Sequence, residues 1–188
     1  MSDQDKRRWD EKYCRGDHAG QEPSSVITAL DWELPRTGKA LDVAGGAGRH
    51  AVWLAQRGLT VTLADISAEA LSLARQRVDA LKVKLNTVQV DLEQQPFPAG
   101  PWDLILNVHF LWRPLFDVFA SSLAPGGLLL FLQPTQSNLQ RHAKPSERYL
   151  LRDGELPLLA RGLEIIRYDE GGLSDGRHEA VLIGRRTE

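Results

Sequence analysis

Residues 41–50 read Leu41-Asp42-Val43-Ala44-Gly45-Gly46-Ala47-Gly48-Arg49-His50. An apolar run delivers glycines into a tight turn, and a helical pattern starts directly behind them. Glycine tolerates positive φ and lets a ligand approach the backbone without meeting a Cβ. The free N–H groups and partial positive charge of a helix start complete a polar cradle. On its own, Gly46-x-Gly48-x-x-Ala51 suits a dinucleotide loop, and it equally suits a turn needed only for packing. Asp65 lies 17 positions after Gly48 at the end of the next apolar run. An acid there can accept both hydroxyls of a ribose or simply cap the following helix. The ribose reading supports a nucleoside cofactor without saying which.

Two further acids separate the cofactor classes. Asp91, followed by Leu92 and the turn Pro96-Phe97-Pro98, ends a third apolar run, where a carboxylate can accept an adenine amino group. Asp42 precedes the glycine turn, a poor place for a carboxylate beside a pyrophosphate. A cofactor carrying an ammonium and a sulfonium, and no phosphate, is better matched.

Other side chains are candidates for handling a second substrate. His109 follows the fourth apolar run, and an imidazole suits proton removal near neutral pH; it serves equally as a packed or hydrogen-bonded wall residue. Trp9, Tyr13, Phe110 and Trp112 can line an apolar pocket or the core. Arg113 and Arg148 can bind an anionic acceptor or make ordinary surface ion pairs. His18, His50, His142 and His178 are scattered without metal-ligand spacing, so no metal site is expected.

The elements that must position these residues alternate between short apolar runs and longer amphipathic ones, the pattern of a parallel sheet wrapped by helices. Strands are expected at 39–44, 59–64, 85–91, 102–107 and 128–133. Helices are expected at 5–15, from Pro23, at 47–57, at 68–82 capped by Ser67, at 113–123, and from an Asp153 cap to Ala160. Residues 163–168 and 178–184 form a hairpin, giving an antiparallel edge. Residues 135–148 have no clear period and read as a loop over the site. The expected architecture is α/β: a Rossmann-like, seven-stranded, mostly parallel sheet with an antiparallel edge hairpin and helices on both faces. Its crevice should open between the first and fourth strands.

The chain has 188 residues, enough for one domain with a real core. Residues 1–36 form a helical cap or lid within it. A net charge of −2 argues against a nucleic-acid surface. No apolar run reaches the ~20 residues needed to span a bilayer, and the polar N-terminus lacks a signal core. The single cysteine, Cys14, allows no internal disulfide, so a cytoplasmic, reducing setting is expected. A monomer or homodimer is expected.

Together the motifs resemble the class I S-adenosylmethionine-dependent methyltransferases. The carriers, in order, are 41–49, Ala64-Asp65-Ile66-Ser67, Val90-Asp91-Leu92, Trp102-Asp103-Leu104-Ile105 and Leu123-Ala124-Pro125-Gly126-Gly127. The flanks Trp9-Asp10-Glu11-Lys12-Tyr13, Glu22-Pro23-Ser24, 110–116 and Arg148-Tyr149-Leu150-Leu151 resemble its tellurite-resistance and thiopurine-methyltransferase-like branch. The chain departs from that pattern at Ala44, where the family usually has glycine, and at Gly45, where it often has cysteine. The resemblance implies S-adenosylmethionine as cofactor and a small-molecule methyl acceptor. It implies cofactor contacts from Asp42, Ala44, Gly45, Gly46, Gly48, Arg49, Asp65, Ile66, Asp91, Leu92 and Asn107. The acceptor pocket would draw on Trp9, Tyr13, Phe110, Trp112, Arg113 and Arg148, with His109 as base. An NAD-linked oxidoreductase and a cofactor-binding interaction module without catalysis are the competing readings.

Overall fold

A computed structural model describes residues 3–17, 20 and 22–187. Seven strands form one sheet: β1 (Lys39–Val43), β2 (Thr60–Asp65), β3 (Leu85–Gln89), β4 (Trp102–Val108), β5 (Leu123–Pro134), β6 (Glu164–Gly172) and β7 (His178–Arg185). Their order is β3-β2-β1-β4-β5-β7-β6. The first five run parallel, and β7 runs antiparallel to both β5 and β6. The connection reverses between β1 and β4, so the crevice opens beside the glycine loop as expected. The reversed strand is second from the edge, with β6 outermost. β7 is buried through Glu179–Gly184 while β6 is mostly exposed, so the apolar strand takes the interior place and the charged one the edge.

Among the described residues six helices surround the sheet: α1 (Asp3–Cys14), α2 (Ser25–Ala29), α3 (Arg49–Gln56), α4 (Ala68–Leu81), α5 (Phe116–Ser122) and α6 (Glu155–Leu159). Alternation along the central strands divides the core. Leu41, Val43, Ile105, Leu129 and Phe131 pack on one face with Phe119 and Leu156. Ala40, Leu104, Leu106, Leu130 and Leu132 pack on the other with Ile27, Ala51 and Leu54. Burial on both faces explains the nearly unbroken apolar runs of β4 and β5.

Several boundaries differ from expectation for local reasons. Pro114 sits in a 3-10 turn, Arg113–Leu115, before α5. Gly126 and Gly127 lie inside β5. Asp153 does not cap α6: Gly154 holds the N-cap position, and Asp153 instead accepts from the Ser137 amide and hydroxyl. Residues 135–148 are built into the sheet end and are more ordered than a simple loop. A 3-10 turn at Gln136–Gln140 lies within them, and a second, Glu147–Tyr149, begins at their end. Buried Asn138 accepts from the His178 amide and donates to the Lys144 carbonyl. Among the described residues no helix is long and apolar enough to cross a membrane.

Candidate functional site

β1 ends in a loop whose side chains and backbone are mutually fitted. A Cβ on Gly45 would collide with the Asp42 carboxylate beneath it, and one on Gly46 with the Tyr13 hydroxyl above it. Ala44 occupies the left-handed region at φ 51°, where an L-residue loses about 1–2 kcal/mol. α3 follows without a side-chain cap, leaving its first N–H groups toward the loop.

Asp42 is completely buried, and neither of its carboxylate oxygens has a hydrogen-bond partner. Burial pushes its carboxyl up to about 7, and the Asp65 carboxylate adds to the rise. The Ala51 backbone amide and Arg49 pull the other way. Asp65, at the end of β2, accepts from the Gly46 amide at 2.8 Å and the Ser67 amide at 2.9 Å. Burial raises its carboxyl, and these amides oppose the rise. The Ile66 amide acts in the same sense; a carboxylate has about four acceptor sites, which leaves room for a ribose hydroxyl. Ser67 caps α4 through the Ala70 amide and donates to Asp10 at 2.6 Å, which docks α1 across the crevice. Tyr13 sits on the same helix, and burial with the nearby Asp65 holds its phenol protonated.

α1 overlies two cavities. One, of about 310 Å³, is bordered by Trp9, Tyr13, Asp42, the loop from Ala44 to Ala47, Arg49, His50, Val108 and His109. The other, of about 420 Å³, is bordered by Asp3, Lys6, Ile66, Gln89, Val90, Asp91, Gln94 and Gln95. Asp91 lies just beyond β3. Its carboxylate accepts from the Glu93 amide, and its own amide donates to Gln95. Leu92 turns its side chain into the core, which leaves only its backbone for a ligand.

The structure does not gather every expected residue. Asn107 is fully buried on β4, beside Val43 in register and so on the opposite face from Asp42. Its amide atoms have no partner, and it borders neither cavity. Phe110 and Trp112 pack against the core and do not border the cleft. Arg113 makes a two-pronged ion pair with Glu155, at 2.8 Å for each nitrogen, and donates to the Leu150 carbonyl. Arg148 lies over the Tyr149 ring at 4.4 Å. Both arginines are thus occupied by nearby groups in place of a pocket anion. Of the expected acceptor residues, only Trp9 and Tyr13 border the cleft.

His109 also borders the cleft, with φ 61°. Its Nε2 lies 3.0 Å from Oε1 of Glu179 on β7, and Arg177 Nη1 donates to the same oxygen at 2.9 Å. His50, set aside by the sequence reading, is buried in the cleft wall. Its Nε2 accepts from the Ser24 amide at 3.1 Å. Burial, with Arg49 and His109 nearby, drives its imidazole down to about 3, so it is neutral. An acid set directly ahead of the apolar run of β7 was the available signal for Glu179; nothing local marked His50. Away from the cleft, ligating atoms of Asp153, Glu170 and His178 lie within 4.8 Å of one another. Each already has a protein partner: Ser137, the Gly154 amide and the Thr135 hydroxyl respectively.

The sheet order with its reversed β7, and the glycine loop facing an acid at the end of β2, define the Rossmann-like fold of S-adenosylmethionine-dependent methyltransferases. TehB from Haemophilus influenzae superposes with TM-score 0.74 at 18% identity, over 95% of this chain and 67% of that one. An S-adenosylmethionine-dependent methyltransferase from Mesorhizobium loti gives 0.72 at 18% identity, over 89% and 100%. Residues 40–127 match the methyltransferase domain family. Among curated relatives, a fatty-acid O-methyltransferase of Mycolicibacterium smegmatis is 31% identical over 72% of this chain and 51% of its own length. A tRNA 5-carboxymethoxyuridine methyltransferase of Escherichia coli is 32% identical over 70% and 57%. The Mycobacterium tuberculosis protein Rv1403c is 32% identical over 54% of this chain, which spans only 38% of that protein's length. The methyltransferase-domain match and the fold shared with S-adenosylmethionine-dependent enzymes support S-adenosylmethionine, over a dinucleotide, as the cofactor. The residues present suit it: Asp42 offers two unpaired oxygens to a cation, and Asp65 has acceptor sites to spare.

Proposed function

We propose that this protein transfers the methyl group of S-adenosylmethionine to a small-molecule acceptor, within one domain capped by residues 1–36. The observation that carries the reading is Asp42, a fully buried carboxylate without partners, set under the glycine loop at the cleft wall. Such a group is expensive unless a cation answers it. The cofactor, when bound, supplies an electrophilic methyl on a sulfonium, with the sulfur as leaving group. Asp42 and Arg49 would hold its amino-acid end, Asp65 its ribose, and Ile66 and Asp91 its adenine. His109 would take a proton from the acceptor. Trp9 and Tyr13 on α1 would exclude water, so that alignment lowers the barrier, by up to about 7–11 kcal/mol in favourable cases.

A cleft of about 310 Å³ and a net charge of −2 favour a small acceptor over a polynucleotide. The flanking motifs around Trp9, Phe110 and Arg148 support the tellurite-resistance and thiopurine-methyltransferase-like branch. The exposed, unpaired Cys14 suits the cytoplasm. Calorimetry with S-adenosylmethionine, S-adenosylhomocysteine and NAD tests the cofactor assignment: the first two should bind and NAD should not. An acceptor screen that detects S-adenosylhomocysteine release then tests turnover; product formed only on added RNA would refute the small acceptor.

A further inference from the structure

The Glu179 side chain is only 2% exposed. One oxygen, Oε1, is shared between His109 and Arg177, whereas Oε2 is buried without a hydrogen-bond partner. As a device for stability this is poor, because a well-packed apolar residue often serves a fold better than a half-satisfied buried carboxylate. His109 adds backbone strain at φ 61°. Both liabilities meet at one contact, and the imidazole in that contact borders the cleft beside Asp42 and the glycine loop. Strain and unsatisfied polar groups that persist at a cleft are the mark of an arrangement kept for chemistry.

We propose that Glu179 is a positioning residue that holds His109 as its Nε2–H tautomer, leaving the Nδ1 lone pair as the base. The acceptor is then a protic nucleophile, a hydroxyl or a thiol, whose proton must be removed. This inference rests on the methyl-transfer reading above. As the acceptor oxygen or sulfur bonds to the methyl carbon, the electrons of the breaking carbon–sulfur bond go to the cofactor sulfur. The acceptor proton passes to Nδ1 of His109. The resulting imidazolium faces the Glu179 carboxylate and later returns its proton to water. Arg177 grips Oε1 as well, which keeps the carboxylate from swinging away from the ring.

The tautomer can be read without any acceptor. Long-range nitrogen NMR of histidine-labelled protein, with His109 assigned by its loss in His109→Gln, should show Nε2–H alone in the neutral ring. Glu179→Gln should give a tautomer mixture. It should also slow carbethoxylation of His109 by diethyl pyrocarbonate at least about tenfold, the scale of a lost hydrogen bond to a charged group. An Nδ1–H tautomer in the unmodified protein overturns the proposal, and that measurement stands even if the variant does not fold. Unchanged tautomer and modification rate in folded Glu179→Gln overturn it too. A parallel titration with S-adenosylhomocysteine separates the two failures. Absent binding removes the methyl-transfer reading and this inference with it; binding with the wrong tautomer removes this inference alone.

Discussion

Replacing Asp42 by asparagine removes a carboxyl that burial has raised from 3.8 to about 7. The direction of the effect follows from proton counting. Between those values the folded protein holds a proton that the unfolded chain has released, so stability falls as pH rises through the window and is level above it. At ~1.36 kcal/mol per pKa unit, the loss across the window is about 4 kcal/mol. Asp42 is 0% exposed, so solvent does not screen this term. Asparagine has its own drawback, since a buried amide without partners costs about 1–3 kcal/mol, but that term does not vary with pH. The quantity to measure is therefore the change with pH in the difference between the two proteins. Urea unfolding at half-unit steps from pH 5 to 8 should show the variant gaining on the parent by about 1.4 kcal/mol per unit up to pH 7, then holding steady. A difference constant within about 0.5 kcal/mol across the series would refute the reasoning, because Asp42 would then be ionised in the fold throughout.

Three further outcomes are expected. Asp65→Ala should weaken S-adenosylhomocysteine binding at least about tenfold by calorimetry, since hydrogen bonds to a charged group contribute ~1.5–3 kcal/mol each; unchanged affinity removes Asp65 from the site. Ala44→Gly relieves a left-handed alanine and should raise stability by up to about 1 kcal/mol, or roughly 2–4 °C in Tm for a chain of this size; a lower Tm would show that the strain is not carried there. Gly46→Ala should drive Tyr13 off the loop and speed amide exchange across α1, while S-adenosylhomocysteine should slow exchange there in the unmodified protein. If the ligand leaves α1 exchange unchanged, the helix is not a lid, and Trp9 and Tyr13 are ordinary packing residues.

Local chemistry made much of the scaffold legible. The apolar runs ending at Val43, Asp65 and Val108, the Ser67 cap and the glycines behind β1 are written within a few residues of where they act. Strand burial, capping and positive φ depend mainly on neighbours in the chain. Asp65 and Asp91 could be placed because each ends or follows such a run, and Asp42 because it sits one residue before the first run gives way to the glycine turn. What the chain pattern left open were the partners of long side chains, which depend on distant segments meeting. Arg113 looked available for an anion until Glu155 met it from α6. Phe110 and Trp112 looked like pocket walls until the fold packed them against the core. Asn107 looked near the cofactor, but strand alternation turned it to the other face.

The amino-acid sequence determined the sheet, the glycine turn and the row of acids at the strand ends, because period, turn chemistry and burial on both faces are local consequences of residue type. Only tertiary structure decided that β7 would slip inside β6, that α1 would bind Ser67 and cover Gly46, and that Glu179 would meet His109 across 70 positions of chain. Those choices turn on which surfaces bury the most apolar area and leave the fewest polar groups unpaired, a comparison made only once the whole chain has collapsed.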